Sequence, residues 1–158
     1  MQRVGHDASQ WLKFSQTAVS FQASSIFTGI HMTSKIIVST SGAPAAIGPY
    51  SQAVQVGNMV YTSGQIGLNP ATGELVGPGT AEQARQAFNN LKAVAEKAGG
   101  GLANVVKFTL FLTDLSEFAE VNAIMQEFVP QPYPARSTVG VASLPKGARF
   151  EVEAILVV

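Results

Sequence analysis

The feature that most constrains the fold lies between Thr80 and Ala98. Ala84, Ala87, Phe88, Leu91, Val94, Ala95 and Ala98 recur at steps of three and four residues, the period of a helix with one apolar face. Thr80 followed by Gln83 has the form of a capping box at its start. Gly99-Gly100-Gly101 then offers residues that enter left-handed backbone angles freely, which ends the helix. Directly afterwards the period changes. In "NVVKFTLFLTD" the residues Val106, Phe108, Leu110 and Leu112 alternate, so they share one face of a strand. A helix with one apolar stripe that leads into a strand with one apolar face buries the first against the second.

The remaining chain repeats that logic. Ile36-Ile37-Val38 reads as a strand, and "TSGAPAAIGPY" as an unusually apolar loop ending at Tyr50. "SQAVQVGNMVYTSGQI" contains two alternating runs joined at Gly57-Asn58, a turn suited to a hairpin. After the turn-rich "LNPATGELVGPG" and the helix comes a second helix near Ser116, with Phe118, Val121, Ile124, Met125 and Phe128 as its stripe. The prolines of "VPQPYP" end it, and two last strands, about 136–141 and 149–157, flank "SLPKG" as a hairpin. Each helix is a crossover that lies against the same sheet face. The expected architecture is α/β (α+β): a two-layer sandwich of a mixed, about six-stranded sheet with two helices on one face. The other face keeps apolar side chains with no cover from its own chain, which oligomerisation supplies.

Composition removes whole classes of function. The chain has 158 residues, 46% of them hydrophobic and 13% charged, enough for one domain with a core. Ten basic residues balance ten acidic ones, so no general field attracts nucleic acid. No run approaches the about 18–20 apolar residues of a membrane helix. The absence of cysteine excludes disulfides, thiolate metal sites and a Cys nucleophile. Both histidines, His6 and His31, precede Met32. From there on, acid or base chemistry falls to a carboxylate, Lys, Tyr or a held water, and neither a Ser-His-Asp triad nor a His-ligated metal site can form. P-loop and GxGxxG patterns are missing too.

The chain divides at Met32. Residues 1–31 differ in texture, with the only Trp and few charges. They read as a cloning remainder, as an over-long start ahead of the true Met32, or as an organellar targeting peptide, given Trp11, Phe14, Ala18 and Phe21 at helical spacing. Residues 32–158 form the domain. The expected location is the cytoplasm, or an organelle if the extension is a targeting peptide.

Several polar residues sit where strands are otherwise apolar. Arg136 opens a strand, and its guanidinium either snorkels from a sheet edge or awaits an anion. Glu151 and Glu153 share one face of the last strand; they face solvent, pair with Lys146 or Arg149, or serve chemistry. Tyr50 reads as a packed aromatic or a site residue. Ser63 has no histidine to activate it and is a hydrogen-bond donor rather than a nucleophile.

Four segments, "APAAIGPYSQAV", "TSGQIGLNPATGEL", "AEQARQAFNNLKAV" and "YPARSTVGVASLPKGARFEVEAI", occur in this order. Met32 to Val158 thereby resembles the reactive intermediate deaminase A (RidA, YjgF) family, with "PARS" and "FEVEA" the specific motifs. The resemblance implies a chorismate-mutase-like homotrimer with clefts between subunits. It implies hydrolysis of 2-aminoacrylate and related 2-imino acids to 2-keto acids and ammonia, without metal or organic cofactor. It places Arg136 on the substrate carboxylate and Glu151, expected on the neighbouring strand across a hairpin, on the hydrolytic water. Tyr50, Ser63, Gly64 and Thr138 would line the cleft, Thr138 standing where many relatives have Cys. The alternatives are a non-catalytic trimer that binds small acids, and a ribonuclease or translation inhibitor, which the neutral charge and missing core histidine disfavour.

Overall fold

The computed structural model describes residues 34–158, and the readings of residues 1–31 lie outside it. Seven strands and two α-helices follow one another as β1 (Lys35–Val38), β2 (Ala53–Val56), β3 (Met59–Thr62), β4 (Gln65–Ile66), α1 (Thr80–Lys97), β5 (Val105–Leu112), α2 (Phe118–Phe128), β6 (Ala135–Gly140) and β7 (Phe150–Val157). The strands form one mixed sheet in the order β1-β2-β3-β7-β5-β6, with β4 also pairing β7. Both helices cover the same face, as the expected α+β sandwich requires.

The core is the seam between helices and sheet. Phe88 of α1 is fully buried and meets Phe108, Phe128 and Phe150 at ring-centroid distances of 6.2, 5.4 and 5.7 Å. Truncating such a ring to Ala typically costs about 3–5 kcal/mol. The helix ends as its glycines predict: Gly99 has φ +92°, and the N–H groups of Gly99 and Gly100 donate to the carbonyls of Glu96 and Ala95.

Four details depart from the sequence reading. The helix cap is Gly79, and the Glu82 carboxylate accepts its N–H at 2.7 Å. Gln83 turns inward instead, accepting from the Arg149 N–H at 2.8 Å and donating to the Gly77 carbonyl at 2.7 Å. Val106 is exposed because a bulge between Val105 and Lys107 shifts the β5 register, so Val105 takes the core position. The run "MVYTSGQI" breaks at Ser63-Gly64 into β3 and β4, which pair opposite ends of β7, and the Thr62 hydroxyl bridges to the Ala154 N–H and carbonyl.

The fourth departure matters most for function. β6 and β7 are not a hairpin: β6 pairs β5 in parallel, β7 pairs β5 antiparallel, and β5 lies between them. The α2 crossover returns the chain to the start of β5, which makes β6 a parallel edge strand. Side-chain rows follow from this register. Ala154, Phe108 and Arg136 form one row on the helix face, and Val152, Leu110 and Thr138 the next. Glu151, Phe111 and Val139 form a row on the opposite face. That face is apolar and open, as expected, with Ile37 55% and Tyr61 47% exposed.

Candidate active site

Glu151 projects from β7 toward the open face and pairs in register with Ile66 of β4. Its carboxylate lies against the Cα of Gly64, where a β-carbon would overlap the carboxylate oxygen. A side chain at this position would therefore push the carboxylate aside, while the backbone angle makes no demand for glycine. The interruption between β3 and β4 brings this residue to the acid, and among the described residues its N–H donates to no backbone carbonyl.

The neighbouring segment is tied down by Ser63 and Gln52. The Ser63 hydroxyl donates to the Ser51 carbonyl at 2.6 Å, and its N–H donates to the Gln52 carbonyl at 2.9 Å. Ser63 is thus the donor expected, used for structure. Buried Gln52 accepts the Thr40 N–H at 2.7 Å and donates to the carbonyls of Thr40, Ala43 and Pro44 at 3.0, 3.2 and 2.8 Å. This fixes the course of the apolar loop that ends at Tyr50. The Tyr50 ring is half exposed, and its hydroxyl accepts the Ile47 N–H at 3.4 Å.

Neither glutamate of β7 joins an ion pair among the described residues. Arg149 pairs with Glu117 at 3.0 Å, and Lys146 donates to the Gly73 carbonyl at 2.7 Å. Partial burial raises the Glu151 pKa above the ordinary carboxylate range, and the like charge of Glu153 on the same face adds to the shift. A carboxylate of raised pKa is suited to accept a proton from water.

Arg136 stands elsewhere. Its side chain leaves the helix face of edge strand β6, and Nη1 donates to Asn122 Oδ1 at 2.7 Å and to Met125 Sδ at 3.5 Å. The guanidinium carbon lies 5.2 Å from the Phe118 ring centroid. No carboxylate meets it among the described residues, so its fork remains open to an anion. Thr138 flanks it two residues on. Asn122, Phe118 and Met125 were legible in the sequence only as helix residues, because their use depends on α2 crossing above β6. Gln52 carried no signal at all.

The predicted residues thus fall into two groups within one chain. Tyr50, Ser63, Gly64 and Glu151 gather at the β3–β4 break, whereas Arg136 and Thr138 lie across β5 on the other face. Because β5 separates the two strands, a single copy does not bring the arginine and the glutamate together.

The chain is thus of the class of α+β sandwiches with two helices over one mixed sheet, with a carboxylate at a break in that sheet and, on its edge, an arginine that meets no carboxylate among the described residues. The Endoribonuclease L-PSP family matches residues 40–158, and the chain belongs to this family, the YjgF/RidA family. The 2-iminobutanoate/2-iminopropanoate deaminase of Dermatophagoides farinae is 54% identical over 127 residues, spanning 80% of this chain and 99% of its own. The Bos taurus protein of the same name is 50% identical over 121 residues, spanning 77% and 88%. Among solved structures, RidA from an Antarctic Psychrobacter superposes with TM-score 0.76 at 53% identity, covering 78% of this chain and 99% of its own. TdcF of E. coli with bound serine gives TM-score 0.74 at 44% identity, covering 78% and 98%.

Proposed function

We propose that this chain is an imine and enamine deaminase that converts 2-iminopropanoate, its enamine tautomer 2-aminoacrylate, and 2-iminobutanoate to 2-keto acids and ammonia. The observation that carries this reading is a pair of charged side chains that form no ion pair among the described residues, the Arg136 fork and the raised-pKa carboxylate of Glu151. Relatives about half identical bear the name of that activity, and TdcF binds serine, a small molecule with the same α-carboxylate.

Arg136 anchors the substrate carboxylate, for which its planar fork is better shaped than lysine. Glu151 takes a proton from water as the water oxygen bonds to the imine carbon, the C=N electron pair moves to nitrogen, and Glu151 passes that proton to it. The resulting tetrahedral carbinolamine gives its hydroxyl proton to Glu151 as the C=O bond forms and the C–N bond breaks, and Glu151 delivers that proton to the departing nitrogen, which leaves as ammonia. An imine carbon is already electrophilic, so positioning supplies much of the acceleration. The Gly64 N–H donates to the bound acid, and Tyr50 and Thr138 line the cleft.

The centre is completed by a second copy. Arg136 of one subunit meets Glu151 of the next in a homotrimer whose open sheet faces turn inward and whose three clefts lie between subunits. The exposed Ile37, Tyr61 and Val139 support this cover. A ribonuclease, the activity in the family model's description, is disfavoured by the chain itself: its net charge is zero and it has no histidine after His31.

The test is keto-acid release when the full chain is added to a dehydratase generating 2-aminoacrylate. Acceleration over buffer by the wild type, lost in Arg136→Ala and in Glu151→Ala, supports the reading. Intact trimers that bind 2-keto acids without accelerating release would establish the non-catalytic alternative.

A further inference from the structure

Helix α2 begins without a side-chain cap. Glu117 occupies the N-cap position, yet its side chain accepts no N–H of the first turn. The carboxylate turns away from the helix, and both of its oxygens are taken. Oε1 accepts from Arg149 Nη2 at 3.0 Å, and Oε2 accepts from the Thr80 hydroxyl at 2.6 Å. Thr80 is buried and closes the triangle by accepting from Arg149 Nε at 2.9 Å. One knot therefore joins the first residue of α1, the residue before α2 and the residue before β7.

Of the three, Arg149 is the fixed post. Its N–H donates to Gln83 Oε1 at 2.8 Å, and its carbonyl accepts the Thr113 N–H at 3.1 Å. Those bonds are made by its backbone, so they survive a change of side chain. Glu117 is the end that is held. Ahead of it the turn Leu115–Glu117 is organised by Asp114, which accepts from the N–H and hydroxyl of Ser116 at 2.9 and 2.7 Å. That contact is local and sets no distance to the sheet; the Arg149 side chain does.

The contacts of the first two turns of α2 give the knot a purpose. Val121, Ile124 and Met125 face the core, and apolar packing of this kind is non-directional. Phe118 and Asn122, four residues apart, share a flank of the helix. Both meet the Arg136 guanidinium, Asn122 Oδ1 accepting from Nη1 at 2.7 Å. A hydrogen bond weakens steeply with distance and angle, so the setting of α2 about its axis decides whether Asn122 reaches the fork. That setting is fixed at Glu117, the neighbour of Phe118.

Resting on the deaminase reading, we infer that Glu117 and Arg149 are positioning residues for the substrate carboxylate: their pair sets the first turn of α2 so that Asn122 holds the Arg136 fork in the orientation that grips the acid. A salt bridge whose side chains are 25% and 42% exposed contributes little to folding stability. Its removal therefore alters the geometry at Arg136, while the strand of Glu151, anchored through the backbone of Arg149, stays in place. The signature is a split between the kinetic constants, in which KM rises and kcat holds.

The experiment measures kcat and KM on the full chain for 2-iminopropanoate generated in place by an amino-acid oxidase. It uses wild type, Glu117→Ala, Arg149→Met, Asn122→Ala and the double variant Glu117→Ala/Asn122→Ala. Each single variant is expected to raise KM about fivefold, the effect of one lost hydrogen bond, with kcat within about twofold of wild type. The double variant is expected to stay near fivefold, whereas independent effects would multiply to about 25-fold. An unchanged KM in any single variant, or a multiplicative double variant, overturns the positioning role and leaves the deaminase reading intact. Partial misfolding lowers kcat and leaves KM unchanged, so it does not imitate the expected result. No acceleration by the wild type overturns the deaminase reading and the positioning role with it.

Discussion

The two halves of the candidate site are held in different ways. Around Glu151 the restraints are backbone contacts: a glycine against the carboxylate, Ser63 bonded to the 51–52 backbone, and a buried glutamine behind the loop. Around Arg136 they are side-chain contacts on an exposed edge strand, through Asn122, Met125 and Phe118. Water placement tolerates little error, since misplacement by about 1 Å can cost about 100-fold in rate. A carboxylate clamp adjusts more easily. The half that directs the water is thus framed by backbone, and the half that captures the acid is framed by side chains.

Substitutions that break this contrast should rank accordingly. Glu151→Gln removes the proton acceptor while keeping the shape, and steady-state kinetics should show kcat lower by about 10²–10⁴-fold with little change in KM. Gly64→Ala should cost about 100-fold, because the added methyl displaces the carboxylate; a crystal structure of the variant with Glu151 unmoved would refute that cause. On the half framed by side chains Arg136→Lys keeps the charge and loses the fork, so it should raise KM about tenfold with a smaller fall in kcat. Asn122→Ala should be milder still, about twofold to tenfold and confined to KM, consistent with the loss of one hydrogen bond.

The raised pKa of Glu151 sharpens the contrast through pH. A carboxyl whose folded pKa exceeds its unfolded value binds extra protons in the folded state, so its contribution to stability is lost as pH rises through the folded pKa. Glu151→Gln should therefore unfold at a higher temperature than wild type at pH 7, with the difference closing near the unfolded pKa of about 4.3. Activity runs the other way. Wild-type kcat should fall as pH drops through the raised Glu151 pKa, at a pH above that of an ordinary glutamate. Thermal melts and a pH–rate profile on the same samples check both signs.

Periodicity made the layers legible, and register hid the site. The stripe from Ala84 to Ala98 and the alternation in β5 and β7 were enough to place helices over a sheet, because burial repeats along the chain. Val106 misled because one bulge residue moves its neighbours to the other face without altering composition. Arg136 and Glu151 were recognisable from their motifs, yet their expected adjacency across a hairpin was not realised. Strand neighbours depend on where the α2 crossover returns, which local sequence does not encode. The hydrogen bonds of Gln52 and Glu117 were illegible for the same reason, since each joins segments far apart in sequence.

The placement of Arg136 and Glu151 on opposite faces bears on how defects combine. In the proposed ring every centre draws its arginine from one copy and its glutamate from the next, so two inactive variants need not be inactive together. Equal amounts of Arg136→Ala and Glu151→Gln chains, dissociated and reassembled at random, should regain about a quarter of the wild-type centres. Within a cell the same arithmetic would let two damaged alleles complement each other, whereas a chain damaged in both residues would silence centres on either side of it.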